Sequence, residues 1–159
     1  MKKLGILVAI LAVIGTGVLI YETQSTGKLE KLEAAAPSFW SLSPKMRLMT
    51  RTVSAEAKGE SLVGQVAVAA VILNRVDSSK FPDSISGVIY QPWAFTAVAR
   101  GHIWNNTPDE RTIRATLAAK RGWDPTYGSI YYYNPAKVET NWIYTRNVVR
   151  RIGKHIFAK

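Results

Sequence analysis

The sequence predicts a mostly helical α+β domain with a small antiparallel sheet, and three observations lead there. Two stretches, 44 to 57 and 61 to 75, combine helix start signals with helical apolar patterning. A third start signal stands at Thr107-Pro108-Asp109-Glu110. The β-prone runs are short and lie near the C-terminus, at Ile130–Asn134 and Ile152–Phe157.

Each element follows from its residues. Ser43-Pro44 reads as an N-cap with proline at the first helical position. Met46, Met49 and Val53 then recur at spacings of three and four, one face of a helix expected to end near Ala57, with Gly59 permitting a turn. Ser61 caps the next helix, whose Val66-Ala-Val-Ala-Ala-Val-Ile-Leu73 run is apolar on every side and predicts burial at the centre of the domain. Phe81-Pro82-Asp83-Ser84 is a turn, followed by a short helical piece over 85–90. Pro92-Trp93-Ala94-Phe95 places two aromatics in a loop, where each either plugs the core or lines a groove. Thr107 is expected to cap a helix with Pro108 in its first turn and Glu110 at the capping-box position; it carries Ile113 and Leu117 inward and stops at Gly122. Residues 131–134 and 155–157 are expected to form an antiparallel pair.

The chain begins Met1-Lys2-Lys3, then runs uncharged from Leu4 to Ile20, 17 residues at the short edge of a bilayer span. Residues 1–21 are therefore expected to be an uncleaved membrane anchor or a signal sequence, with the rest on the far side of the membrane by the positive-inside rule. Residues 22–38 read as a polar tether and 39–159 as the folded domain. Residues 37–159 hold 17 Lys and Arg against 8 Asp and Glu, so the basic character belongs to the domain. That balance favours a polyanionic partner or simply a solvated surface. There are no cysteines and two histidines, which leaves no thiolate nucleophile or disulfide framework; no metal or cofactor is expected.

On the apolar stripe of the first helix, the positions after Val53 are 56 and 57, so Glu56 falls among apolar neighbours. Desolvation disfavours the charged form of such a carboxylate, as a general acid requires. A Glu turned to solvent at a frayed helix end explains the position equally well. The five Trp and seven Tyr suit sugar-ring recognition, with Tyr131-Tyr132-Tyr133-Asn134 and Trp142 as a groove wall. Strand alternation sends Tyr131 and Tyr133 to one face and Tyr132 to the other, and Tyr132 is expected in the core. Stacked bases would use similar residues, but an exported domain without a nucleic-acid fingerprint makes nucleic acid an unsuitable partner.

The segments Ser54-Ala-Glu56-Ala-Lys-Gly-Glu60, Gly64-Gln65-Val-Ala-Val-Ala-Ala-Val-Ile-Leu-Asn74-Arg75, Phe81-Pro82, Trp123-Asp-Pro125, Tyr131-Tyr-Tyr-Asn134 and Ile152-Gly-Lys-His155-Ile-Phe157 resemble the catalytic domain of spore cortex-lytic, SleB/CwlJ-type cell-wall hydrolases. The resemblance covers residues 45 to 158. It implies a lysozyme-like fold related to lytic transglycosylases, acting on the glycan strand of peptidoglycan. It also implies that Glu56 is the catalytic glutamate. Tyr131, Tyr133, Asn134, Trp142 and Phe95 are then expected to bind substrate, with Glu60 and Gln65 in support. The N-terminal peptidoglycan-binding module usual in the spore members is not expected ahead of Phe39. A minimal domain on an anchor also suits a wall-remodelling or phage lysis enzyme. Most glycosidases use two carboxylates, and a second is not evident: Gly59 is expected to turn Glu60 away, and Asp124 sits in a turn. A single-acid transglycosylase route is expected over hydrolysis, with a non-catalytic wall-binding module as the competing class.

Overall fold

Ser43 and Ser61 open the two helices around which the domain packs. In the computed structural model the described residues are 36–138 and 141–159, so the apolar segment 4–20 and most of the tether lie outside them. Helix α1 (Pro44–Ala57) begins where the Ser43 side chain accepts a hydrogen bond from the Met46 N–H, with Pro44 at the first position. Helix α2 (Leu62–Val76) begins at Ser61, whose hydroxyl accepts from the Gly64 N–H at 3.2 Å. Both starts match the sequence-based expectation, because a side-chain oxygen can satisfy an N–H that no helical carbonyl reaches.

Val66, Ala67, Val68, Ala69, Val71 and Ile72 of α2 are fully buried. At about 1.5–3 kcal/mol for each large side chain removed from water, this helix is the largest single source of burial in the domain. Met49 and Val53 of α1 are also fully buried, so the stripe that leads to Glu56 does face the core. Short helices α3 (Ile85–Ile89) and α4 (Thr96–Ala99) follow, the first capped by Ser84. Helix α5 (Glu110–Lys120) packs on α2 and α1. Phe39, Leu42 and Ile113 form a cluster against which Ala36, Met46 and Leu117 pack. The Ala36 N–H donates to Glu110 Oε1 at 3.1 Å, tying the start of the described chain to α5.

The start of α5 corrects one expectation. Asp109, and not Thr107, is the N-cap: its Oδ1 accepts from the Thr112 N–H at 2.8 Å and the Thr112 hydroxyl at 2.7 Å. Aspartate placed one residue after proline caps as well as threonine does, and here it gains a second donor from the same residue.

Three strands, β1 (Tyr131–Tyr133), β2 (Val148–Ile152) and β3 (His155–Ala158), form an antiparallel sheet in the order β1-β3-β2. Tyr131, Tyr132 and Tyr133 pair with Ala158, Phe157 and Ile156, the pairing expected from the two β-prone runs. The expected single strand from Ile152 to Phe157 is instead a hairpin that turns at Gly153, whose φ is +57°. Strand β2 has no counterpart in the sequence-based expectation. Its Arg150-Arg151 pair and the irregular register between Val148 and Arg150 hide the alternation of an edge strand. The fold is the expected mostly helical α+β class.

Candidate active site

Glu56 is the penultimate residue of α1 and half-buried. Its carboxylate is gripped from two distant parts of the chain. Oε1 accepts from the backbone N–H of Ala97, in α4, at 3.1 Å. Oε2 accepts from the Tyr132 hydroxyl, on β1, at 3.2 Å. Two helices and the sheet therefore meet at one carboxylate, and the side chain does not rotate to solvent as a frayed helix end would allow.

The Tyr132 ring is stacked on Phe157 at 6.0 Å between centroids and meets the His155 ring edge-on at 5.3 Å. Burial holds its phenol well above the usual range, reinforced by the Glu56 charge and hydrogen bond and opposed by Arg75. The hydroxyl thus remains a donor at any physiological pH. Strand alternation alone makes Tyr132 a core residue; its ring is indeed packed against the core, but its polar tip reaches Glu56. Alternation along β1 gives the correct division of faces and says nothing about which face meets the acid.

Arg75, near the end of α2, is buried beside these residues. Its Nε donates to the Ile130 carbonyl at 2.8 Å, and its guanidinium lies 5.2 Å from the Phe81 ring and 5.3 Å from the Phe95 ring. Phe95 is only 2% exposed. It supports Arg75 from within and does not present a face to a groove.

The other aromatics divide in two. Tyr131 is half-buried, edge-on to Phe81 at 6.2 Å and to Trp142 at 5.8 Å, and the Arg146 guanidinium sits 5.1 Å from the Tyr131 ring and 5.2 Å from that of Trp142. Trp142 itself is 49% exposed, so this trio is accessible. Tyr133 is buried, edge-on to Tyr144 at 5.3 Å. Asn134 is occupied locally, its Oδ1 accepting from the Ala136 N–H at 3.0 Å.

Glu60 turns away from Glu56, as expected, and is buried under the β2–β3 turn. Its Oε2 accepts from the Lys154 N–H at 3.3 Å, and its Oε1 lies 3.8 Å from His155 Nδ1. A Cβ at Gly153 would run into this carboxylate, and one at Gly64 would come within 2.8 Å of Glu60 Cβ, so two glycines make its space. Burial lowers the His155 pKa, partly offset by Glu60. Gln65 is fully buried, its Nε2 donating at 3.4 Å to the carbonyls of Lys58 and Glu60. It braces the α1–α2 connection.

Asp124 is committed to its own turn. It accepts from the Thr126 N–H and hydroxyl, the Gly128 N–H and the Asn74 amide at 2.6 to 3.0 Å. Burial pushes its carboxyl up, but these donors outweigh that and hold it below the usual range. Of the three carboxylates considered for catalysis, Glu60 and Asp124 are each held by a turn. Glu56 is held instead by Tyr132 and the Ala97 amide, and acts on the charge of the same Arg75 that Tyr131 acts on. The residues that sequence reasoning missed are Tyr132 as donor, the Ala97 amide and Arg75. Each reaches the site across 41 or more residues or through a backbone group, which no local spacing reports.

A family model described as Cell Wall Hydrolase matches residues 59–158; Glu56 lies three residues ahead of that span. The chain is 54% identical over 114 residues to a spore cortex-lytic enzyme of Bacillus cereus, covering 72% of this chain and 44% of the relative. It is 34% identical over 117 residues to the cell wall hydrolase CwlJ of Bacillus subtilis, covering 69% and 81% respectively. The match thus spans less than half the length of the spore cortex-lytic relative. Among solved structures, the catalytic domain of Bacillus cereus SleB superimposes with a TM-score of 0.68 at 53% identity, covering 72% of this chain and 89% of that one. The catalytic domain of the germination-specific lytic transglycosylase SleB from Bacillus anthracis gives 0.70 at 51% identity, covering 75% and 98%. Fold, matched residues and relatives agree that the chain belongs to the cell wall hydrolase family.

Proposed function

We propose that the domain cleaves the glycan strand of peptidoglycan between muramic acid and glucosamine, with Glu56 as the sole acid and base. The observation that carries this reading is the grip on Glu56 by Tyr132 and Ala97, while Glu60 and Asp124 are held elsewhere. Protonated Glu56 gives its proton to the bridging oxygen, and the C1–O bond breaks toward an oxocarbenium-like centre. The Glu56 carboxylate so formed takes the proton of the same sugar's 6-hydroxyl as that oxygen bonds to C1. The product is a 1,6-anhydro end, and Glu56 is protonated again. Tyr132 and Ala97 favour the carboxylate midway, since both donate to it. The accessible Tyr131 and Trp142 rings supply stacking surface for a sugar. Phe95 supports Arg75, Tyr133 packs on Tyr144, Asn134 holds the turn after β1, Gln65 braces the α1–α2 connection and Glu60 supports the β2–β3 turn.

Water in place of the 6-hydroxyl would make the enzyme a hydrolytic muramidase or glucosaminidase. Two measurements test these readings on purified sacculi. Parent protein should clear turbidity and Glu56→Gln should not; equal clearing removes Glu56 from the chemistry, and clearing by neither favours a wall-binding module. Mass spectrometry of the released muropeptides should find anhydro-muramic ends; reducing ends alone overturn the transglycosylase route. The segment 4–20 is read as an anchor that places the domain outside the cytoplasmic membrane. Fractionation of a C-terminally tagged protein should recover it with membranes, and recovery of a shortened soluble form would show a cleaved signal instead.

A further inference from the structure

Arg75 combines deep burial with a charge that no carboxylate touches directly, the Glu56 charge acting on it only from a distance. It is 8% exposed, and only its Nε is used, on the Ile130 carbonyl. The Phe81 and Phe95 rings fix the guanidinium plane without neutralising it. Among the described residues no carboxylate lies within 4 Å of it. The side-chain polar atoms that are both buried and unpartnered are Gln65 Oε1 and His155 Nδ1. The Nη edge of Arg75 is not among them, so it keeps contact with solvent. An unpaired buried charge costs several kcal/mol, and arginine does not escape by losing its proton at neutral pH. The location is specific as well. Ile130 leads directly into β1, which carries Tyr132, and Phe95 is the N-cap of α4, which carries the Ala97 amide. The two elements that hold Glu56 are thus the two that hold Arg75.

We propose that Arg75 is a substrate-binding residue, whose free guanidinium edge takes a carboxylate of the glycan in the cleft beside Glu56. This rests on the reading of the domain as acting on peptidoglycan. A planar guanidinium with its plane set by rings and one edge open is preorganised for two parallel N–H···O bonds. A neutral acetamido carbonyl could accept one of them but would leave the charge offset only by the more distant Glu56, so an acidic substituent is selected. Two sources offer that chemistry: the lactyl carboxylate of a peptide-free muramic residue, and the carboxylates of an attached peptide.

Calorimetric binding to the full chain carrying Glu56→Gln, so that no turnover occurs, separates them. Five soluble oligosaccharides serve as probes: peptide-free muramyl with free lactyl carboxylate, its carboxamide, a peptide-bearing muramyl form, its amidated counterpart, and an N-acetylglucosamine oligomer without carboxylates. The free carboxylate, or the peptide-bearing form against its amidated counterpart, should bind at least about tenfold tighter than the matching neutral probe. Adding Arg75→Lys should reduce that preference and Arg75→Met abolish it, the preference being read in each variant as the ratio of acidic to matching neutral probe. Equal binding of every acidic probe and its neutral counterpart to the protein with Arg75 intact overturns the proposal, and that arm needs no Arg75 variant to fold. A loss of the same size on all five probes overturns it too. Sacculus clearing is scored separately: a carboxylate preference without clearing leaves Arg75 as a binding residue and defeats only the catalytic reading.

Discussion

The Tyr132 hydroxyl donates to Glu56 Oε2 at 3.2 Å across 76 residues of sequence, and Ala97 supplies the second donor to the other oxygen. Tyr132→Phe keeps the ring that stacks on Phe157 and removes only the donor. A hydrogen bond to a charged group is worth about 1.5–3 kcal/mol, so kcat should fall about ten- to a hundredfold. KM and melting temperature should change little. Rates on solubilised glycan at several concentrations check this, and an unchanged kcat would remove Tyr132 from the positioning of Glu56.

Two glycines near the site should respond in opposite ways. Gly153 has a φ of +57°, and a Cβ there would collide with the buried Glu60 carboxylate. Gly153→Ala combines left-handed strain with a displaced charge and should destabilise by about 2 kcal/mol or more. Gly59 has no positive φ, and a methyl group added there would meet nothing within 4 Å. Gly59→Ala should be neutral, or stabilising by up to about 1 kcal/mol, by narrowing the unfolded ensemble. Denaturant titration of both variants decides; similar losses at both positions would mean that Gly59 has a role its surroundings do not reveal.

Acid should weaken the fold through His155. Burial, with Lys137 and Lys154, holds its pKa below the ordinary 6.5 despite Glu60, so the unfolded chain binds this proton more readily. Stability therefore rises with pH between the lowered folded value and 6.5, and is lost as pH falls through that window. Asp124 and Asp109 act in the same direction lower down, because their carboxyls are held below 3.8 in the folded state. Denaturation midpoints measured from neutral pH downward should decline first in the histidine window. His155→Gln should flatten that first decline and leave the lower one, whereas an unchanged first decline assigns it to another group.

Local chemistry carries most of the helical fold. Ser43, Ser61 and the run 66–73 each act within a few residues, which is why α1 and α2 are legible nearly to the residue. The stripe through Met49 and Val53 also locates Glu56 at the edge of the core. Strand β2 is not legible, since an edge strand bearing Arg150 and Arg151 needs no apolar alternation. Of the candidate site, Glu56 and the Tyr131–Trp142 pair are legible. Period-two alternation separates Tyr132 from Tyr131 and Tyr133, but the choice of which face meets Glu56 depends on how β1 and β3 pack against α1. Arg75 and the Ala97 amide are fixed by that same packing. Phe95 could be core or groove on sequence grounds, and the neighbouring Arg75 decides for the core.

Asn74 provides the last prediction, because it joins α2 to the turn that delivers β1. Its Nδ2 donates to Asp124 Oδ2 and the Ser129 carbonyl at 3.0 Å each, with Thr126 Oγ1 at 3.4 Å. Asp124 uses its remaining capacity on the Thr126 and Gly128 N–H groups, so the turn 124–129 is closed from both sides. Asn74→Ala removes both amide N–H donors and leaves a part-buried carboxylate and a buried carbonyl short of partners, which should cost about 1–3 kcal/mol. Asn74→Asp should be worse at neutral pH, since it sets a second carboxylate against Asp124. Asp124→Asn should destabilise to a similar degree as Asn74→Ala, and the double variant should lose less than the sum, because the two residues share one interaction. Additive losses would mean that the two act on the turn independently. Because Ile130 and Tyr132 follow this turn directly, Asn74→Ala should also lower kcat at temperatures where the fold remains intact. A fall in stability with no change in kcat would show that the turn serves the fold alone.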